Sequence, residues 1–304
     1  MQTPFAYNYF ITHDSLKIRY AHTEFKNNSS MGIILVLQGR AEFIEKYNDI
    51  AKLLIKKGYE VVTLDWRGQG LSERQVLNRH KGYVKNFDDY ILDLKILYDI
   101  ALKPQKQKNI FLLSHSMGGH IGLRFLHDYP NLIKKAVFVS PMFDIKTLLP
   151  QSITKSITQK ACKSGLSEHY VFGKKQYHFE TKSLNKKFLS HDKNQIKIQA
   201  VEIEKNPELA LGGPTWGWLN AAYKSIDVIL NKGYVSSITT PVLLVNAQKD
   251  KIVKRSVQER INHLLVNSSL ISIKNAFHEI LFEKKEIRNI FWNEFDQFIE
   301  SKNI

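Results

Sequence analysis

The residues Phe111 to His120 read FLLSHSMGGH: an apolar run, two serines around a histidine, then two glycines. Ile110 to Leu113 predicts a short buried strand, and Met117 to Asp128 spaces its apolar residues as a helix does. Ser116 therefore stands in the turn between them. Such an elbow lifts a hydroxyl above the sheet while the free N–H groups at the helix start point at the reaction centre. Strand and helix cross closely there, so small residues are needed two positions either side. Gly118 meets that need downstream. Ser114 stands where glycine is usual upstream, and one hydroxymethyl group still fits. This makes Ser116 the candidate nucleophile and Ser114 a structural residue, although a short motif also describes an ordinary strand-to-helix turn.

A serine hydroxyl attacks at neutral pH only if a base takes its proton, and the base needs an acid to orient it. With the serine on an elbow, acid and then base follow on loops beyond later strands. Two histidines lie beyond Val242, namely His263 and His278. His263 falls inside the helical pattern Val253 to Val266, a packing or solvated position. His278 follows the last strand pattern, in the loop Asn275-Ala-Phe-His-Glu279, and is the candidate base. Asp250, after the strand Val242 to Val245, is the candidate acid; Asp144, after the preceding strand, is the alternative. Glu279 reads as a loop or surface residue. The oxyanion formed on attack needs two N–H donors. Met117 supplies one, and the Arg40 N–H supplies the other if Gly39 lets the loop Gln38-Gly-Arg-Ala-Glu42 turn sharply.

These residues need a frame. Apolar runs at Ile33 to Leu37, Glu60 to Leu64, Ile110 to Leu113, Ala136 to Val139, Val242 to Val245 and Leu270 to Ile273 read as buried parallel strands. Helical spacing at Phe43 to Lys57, Asn86 to Leu102, Met117 to Asp128, Val253 to Val266 and Glu283 to Glu300 alternates with them. The β-α-β-α order predicts a doubly wound, mostly parallel α/β sheet. Tyr7 to Thr12 and Leu16 to His22 extend one edge as a hairpin. From residue 144 to residue 235 the strand pattern stops, which predicts a helical cap (144–235) inserted into a core formed by 1–143 and 236–304.

With these landmarks the chain resembles the α/β-hydrolase superfamily, within it the bacterial lysophospholipase and monoacylglycerol lipase group. The resemblance rests on Gln38-Gly-Arg-Ala-Glu42, Asp65-Trp-Arg-Gly-Gln-Gly-Leu-Ser72, Ser114-His-Ser-Met-Gly-Gly119, Ser140-Pro-Met142 and the Asp250 and His278 loops. It implies the α/β-hydrolase fold with a helical cap, and a serine esterase that cleaves a fatty acyl ester of a lysophospholipid or monoacylglycerol through an acyl-enzyme. No metal or organic cofactor is required. Many relatives have His-Gly where this chain has Gln38-Gly39, which leaves the backbone donor but changes the loop's supporting hydrogen bonds. Two other readings stay open: an aminopeptidase of the same fold, with Glu202 or Glu204 holding a substrate ammonium, and a non-catalytic binding protein on a hydrolase scaffold.

Composition limits the rest. The chain has 304 residues, with 44 Lys and Arg against 29 Asp and Glu, a net charge of +15. No uncharged apolar run is long enough to span a bilayer, and the start MQTPFAYNYFITHD lacks the order of a signal peptide, so a cytoplasmic protein is expected. Residues 151–200 carry ten lysines and three acidic residues. That excess suits peripheral contact with anionic lipid on the inner face of the membrane, or merely solvates the cap. No nucleic-acid-binding motif accompanies it. The sequence leaves the oligomeric state open. Cys162 excludes an internal disulfide and reads as a buried small hydrophobe. Arg67-Gly-Gln-Gly70 lacks the lysine of a phosphate loop and reads as a structural turn. His115 and His120 read as packing residues, and Trp216 and Trp218 suit an acyl tunnel or core packing equally.

Overall fold

The computed structural model describes residues 3–24, 30–105, 107–177 and 188–301. Among these, eight strands form one sheet: β1 (Ala6–Ile11), β2 (Lys17–His22), β3 (Gly32–Leu37), β4 (Tyr59–Leu64), β5 (Ile110–His115), β6 (Lys135–Val139), β7 (Val242–Ala247) and β8 (Ser268–Ile273). Their order is β1-β2-β4-β3-β5-β6-β7-β8. The β1–β2 and β2–β4 pairings are antiparallel and all others parallel. The helices are α1 (Asn48–Lys56), α2 (Asp88–Leu97), α3 (Met117–Asp128), α4 (Gln151–Lys163), α5 (Lys193–Lys205), α6 (Trp216–Leu230), α7 (Arg255–Leu264) and α8 (Lys285–Glu300). This is the expected doubly wound, mostly parallel α/β architecture.

β3 reads GIILVL and is buried throughout. A strand covered on both faces has no reason to alternate apolar with polar residues, so its period shows in which core each side chain joins. Ile33, Leu35 and Leu37 pack with α2, α3 and α6 on one face; Ile34 and Val36 pack with α1 and α8 on the other. β5 repeats the division, with Leu112, the register partner of Leu35, in the first core and Phe111 in the second. In α8, Phe291, Phe295 and Phe298 fall at helical spacing on the buried stripe. Each such ring contributes about 1.5–3 kcal/mol relative to an exposed one.

Three helices are shorter than their apolar patterns, for local reasons. Phe43 to Lys57 divides into a 3₁₀ turn (Ile44–Tyr47), whose first N–H donates to the Asp65 carboxylate at 2.9 Å, and α1. Val253 lies outside α7, its N–H bound to Asp250 Oδ1 at 3.1 Å. Glu283 precedes α8, its carboxylate buried among the N–H groups of Phe277 and His191, each at 2.9 Å. Asn86 to Leu102 holds α2 and closes in a π turn (Tyr98–Leu102).

Between β6 and β7 the described chain adds no strand to the sheet. There α6 joins the sheet-side core through Ala222, Ile226 and Ile229, whereas α5 gives Ile203 to a small separate cluster with Phe43 and Leu209. Cys162, expected to be buried, is only half-buried at the end of α4 and packs against the core from outside. Among the described residues no helix is long and apolar enough to cross a membrane.

Candidate active site

Ser116 joins β5 to α3 with φ 51° and ψ −114°, a left-handed conformation that the turn imposes on a non-glycine residue. The surroundings hold it there. Its N–H donates to the Val139 carbonyl at 3.0 Å, and its own carbonyl accepts from Gly119 at 3.0 Å and Met142 at 2.9 Å. Ser114 fits the crossing as expected, its hydroxyl donating to the Val137 carbonyl at 3.3 Å.

The Ser116 hydroxyl lies 3.0 Å from His278 Nε2, and His278 Nδ1 lies 2.7 Å from Asp250 Oδ2. All three residues are buried. Since Asp250 accepts at Nδ1, that nitrogen carries the proton and Nε2 is free to take one from the serine. Asp250 Oδ1 accepts the N–H groups of Ile252 at 2.7 Å and Val253 at 3.1 Å. Burial alone would raise this carboxyl; His278 and the two amide donors outweigh it and hold the group below the usual range. Asp144, the alternative acid, lies elsewhere: it pairs with Lys254 at 2.8 Å and accepts from Gln151 at 3.0 Å. His263 is on α7, and His120 packs within α3 with Nε2 2.6 Å from Ser225 Oγ.

Met117 is the first residue of α3, where N–H groups have no intrahelical acceptor. On the facing loop, the left-handed residue is Ala41, with φ 61°, whereas Gly39 needs no positive φ. Gly39 is glycine for want of space: a methyl group there would meet Glu42 Oε2 at 2.8 Å and His115 Nδ1 at 2.9 Å. The Ala41 N–H donates to Gln69 Oε1 at 2.6 Å, and Gln199 of α5 donates to its carbonyl. The Arg40 side chain reaches the segment between β6 and β7. It donates to the Gly212 carbonyl at 2.8 Å and lies over the Trp218 ring at 5.1 Å, and burial holds its guanidinium down to about 10.

Residues beyond the three aligned side chains hold these loops in place. Gln69, within Asp65-Trp-Arg-Gly-Gln-Gly-Leu-Ser72, joins the Arg40 loop to Met117 through its contact with the sulfur at 3.7 Å. Gln38 is buried, with Nε2 3.2 Å from Thr63 Oγ1. Glu279 lies in a loop as expected but not at the surface: it is buried and its carboxylate pairs with Lys46 at 3.0 Å, because a cation from the 3₁₀ turn reaches the loop behind His278. Arg67 acts as a structural turn residue, fully buried between Asp93 and Asp14 at 2.6 and 2.8 Å.

Ser116, His278 and the Arg40 loop open into a cavity of about 560 Å³. Met142, Ile145, Val171, Leu189, Leu219 and Val253 give it a mainly apolar wall. Trp218 lines it as well, while Trp216 packs edge-on against Phe172 with ring centroids 5.0 Å apart. Glu202 pairs with Lys205 at 2.7 Å and Glu204 is exposed; neither lines this cavity.

A family profile described as serine aminopeptidase, S33, matches residues 28–285. The probable lysophospholipase L2 of Haemophilus influenzae is 31% identical over 274 residues, covering 90% of this chain and 85% of that protein. The lysophospholipase L2 of Escherichia coli K12 is 26% identical over 298 residues, covering 95% and 86%. A soluble variant of the monoglyceride lipase of Saccharomyces cerevisiae, solved with a substrate analog, superposes with a TM-score of 0.77 at 19% identity, over 99% of this chain and 96% of that one.

Proposed function

The chain belongs to the serine aminopeptidase S33 family, and on that premise we propose that it is a serine hydrolase cleaving the acyl ester of a lysophospholipid or monoacylglycerol. The observation that carries this reading is the alignment of Ser116, His278 and Asp250 at 3.0 and 2.7 Å beside a mainly apolar cavity. The names of the curated relatives, both lysophospholipases, point to the same substrates.

In this reading His278 Nε2 takes the Ser116 proton as the hydroxyl oxygen attacks the ester carbonyl. The N–H groups of Arg40 and Met117 hold the oxyanion. Collapse of the tetrahedral intermediate releases the alcohol, which leaves with the proton from His278. A water, deprotonated by His278, then hydrolyses the acyl-serine, and Asp250 keeps the imidazole oriented through both steps. The stretch 144–235 serves as the cap that closes over the acyl chain, with α6 and Leu189 contributing walls of the cavity.

An aminopeptidase needs a carboxylate free to hold the substrate ammonium. Among the described cavity residues the carboxylates are Glu42 and Glu279, and both are engaged by Lys46. That favours an ester with an acyl tail over an amino-terminal peptide.

We also place the cavity mouth against lipid. Loops that line the cavity through Thr147 and Val171 carry Leu148 and Phe172 at the next positions, exposed to 104% and 82%. Lys146, Lys174 and Lys251 stand among the lining residues. Apolar tips interleaved with cations suit the headgroup region of an anionic membrane.

A substrate panel tests the activity: lysophospholipids, monoacylglycerols, short p-nitrophenyl esters and a proline nitroanilide, each with wild type and Ser116→Ala. Ester turnover that falls by about 10⁶-fold in Ser116→Ala without loss of folding is expected. A loss below about tenfold, or absence of fluorophosphonate labelling at Ser116, would overturn the assignment.

A further inference from the structure

Behind His278 lies a buried cluster of charged side chains that touches both halves of the candidate site, its Glu42, His115 and Glu279 forming a polar side of the cavity. Glu42 is its centre. Oε2 of Glu42 accepts the Gly39 N–H, the Tyr47 hydroxyl at 2.7 Å and, from the other side, faces His115 Nδ1 at 3.2 Å. Its Oε1 accepts from Lys46 Nζ at 2.6 Å. Four donors on one carboxyl leave it no role but that of an ionised acceptor. Lys46 reaches on to Glu279 at 3.0 Å. His115 Nε2 stands 3.3 Å from the carbonyl oxygen of His278. A carboxylate and a carbonyl both only accept, so this placement favours the doubly protonated ring, and against the burial that would lower it Glu42 raises the imidazole pKa. With His115 protonated, two carboxylates, one ammonium and one imidazolium leave the cluster without net charge, which lowers the cost of burying it.

The connections leaving the cluster are specific. Gly39 immediately precedes Arg40, whose N–H is one of the two donors assigned to the oxyanion. The His278 carbonyl belongs to the base itself. We propose that Glu42 is a positioning residue for the acyl transfer: this one buried carboxylate fixes the oxyanion loop through the Gly39 N–H and, through His115, the backbone of the base. The proposal rests on the reading of Ser116 and His278 as the reaction centre. It also accounts for Gly39, since a methyl group at that position would collide with Glu42 and His115 together.

A matched pair of double variants separates positioning from stability. Replacing Glu42 alone would leave Lys46 short of a counter-charge in the interior, a change that unfolds proteins for unrelated reasons. Glu42→Gln with Lys46→Met removes one charge of each sign, so the remaining Glu279 and His115 still offset each other, and leaves an amide oxygen to accept from Gly39. Glu42→Ala with Lys46→Met has the same charge count and no acceptor. Turnover of a short soluble p-nitrophenyl ester is measured for each and expressed per fluorophosphonate-titrated site. The alanine pair should have a kcat about 10²-fold below the glutamine pair, the scale of a misplaced oxyanion donor, with little change in KM. Rescue by glutamine is the signature that a merely structural carboxylate would not give. Equal kcat for the two pairs would overturn the proposal.

Should the alanine pair not fold, His115→Gln tests the link to the base: a lowered kcat at unchanged KM is expected, and wild-type kcat would overturn that link. Ser116→Ala run alongside tells the two failures apart. Retained turnover in Ser116→Ala removes the reaction centre itself, whereas an inactive Ser116→Ala with equal double variants removes only the role of Glu42.

Discussion

A methyl group on Gly118 would lie 2.3 Å from the carbonyl oxygen of Leu37, because the first turn of α3 passes directly over the end of β3. The obstacle is backbone on both sides and has no rotamer to yield. Gly118→Ala must therefore tilt α3 away from the sheet and carry Ser116 with it. The expected result is a lowered melting temperature and an ester kcat reduced by about 10²-fold or more, as a displacement on the order of 1 Å at a reacting atom can cost that much. Wild-type turnover in Gly118→Ala would show that the elbow tolerates a wider crossing.

Asp250 fixes the tautomer of His278, and an asparagine in its place would present an N–H to Nδ1 and turn the imidazole the wrong way round. Asp250→Asn should fold, because the N–H groups of Ile252 and Val253 still find an oxygen there. Its kcat on a soluble ester should fall by about 10⁴-fold. The rate of labelling by a fluorophosphonate, which also needs the base, should fall with it. Restoration of turnover by recruitment of Asp144 is not expected, since that carboxylate is tied to Lys254.

His120 makes stability depend on pH. It is fully buried, and burial together with the nearby Arg124 holds its imidazole down to about 3. In the unfolded chain the same group titrates at about 6.5. Between these values the unfolded state binds the extra proton, so stability rises with pH across the window and is lost as pH falls through it. The slope from this residue is at most about 1.4 kcal/mol per pH unit. His120→Gln should therefore lose less stability than wild type when urea unfolding is compared at pH 7 and pH 5. Equal losses would assign the acid sensitivity to other groups.

Lipid attachment should separate from chemistry. Leu148→Ser, Phe172→Ser and Lys175→Glu together should reduce co-sedimentation with anionic vesicles and flatten its dependence on salt. Turnover of a short soluble ester should change little, as none of the three lines the reaction centre. Lys186 and Lys187, in the same basic stretch, lie outside the described residues. Undiminished vesicle binding by the triple variant at low salt would refute attachment through this rim.

What could be read from the sequence was what depends on neighbours in the chain. β3 and β5 are uninterrupted apolar runs because both of their faces are covered, and the serine turn announces itself by small residues two positions apart. Helix starts were less legible: the Ile44 N–H meets Asp65 across 21 positions, and the Val253 N–H goes to the Asp250 side chain ahead of α7. The support of the site was not legible at all. Glu42 meets His115 across 73 positions, and His115 meets His278 across 163. No local pattern marks such a meeting, and Glu279, next to the base in sequence, looks like any surface glutamate until Lys46 arrives from the other end of the core. Glycine 39 was the available signal, although its reason proved to be crowding and the sharp turn falls on Ala41.

Arg40 ties two distant parts of the chain together, its guanidinium lying over the Trp218 ring at the start of α6. Arg40 hangs from the loop whose N–H is assigned to the oxyanion; Trp218 and Gly212, which grip its guanidinium, belong to the stretch over the cavity. A hinge that lifted α6 clear of the sheet would pull the donor out of line by its own side chain. On the proposed mechanism, the position of the oxyanion donor and that of the start of α6 are therefore held by one side chain.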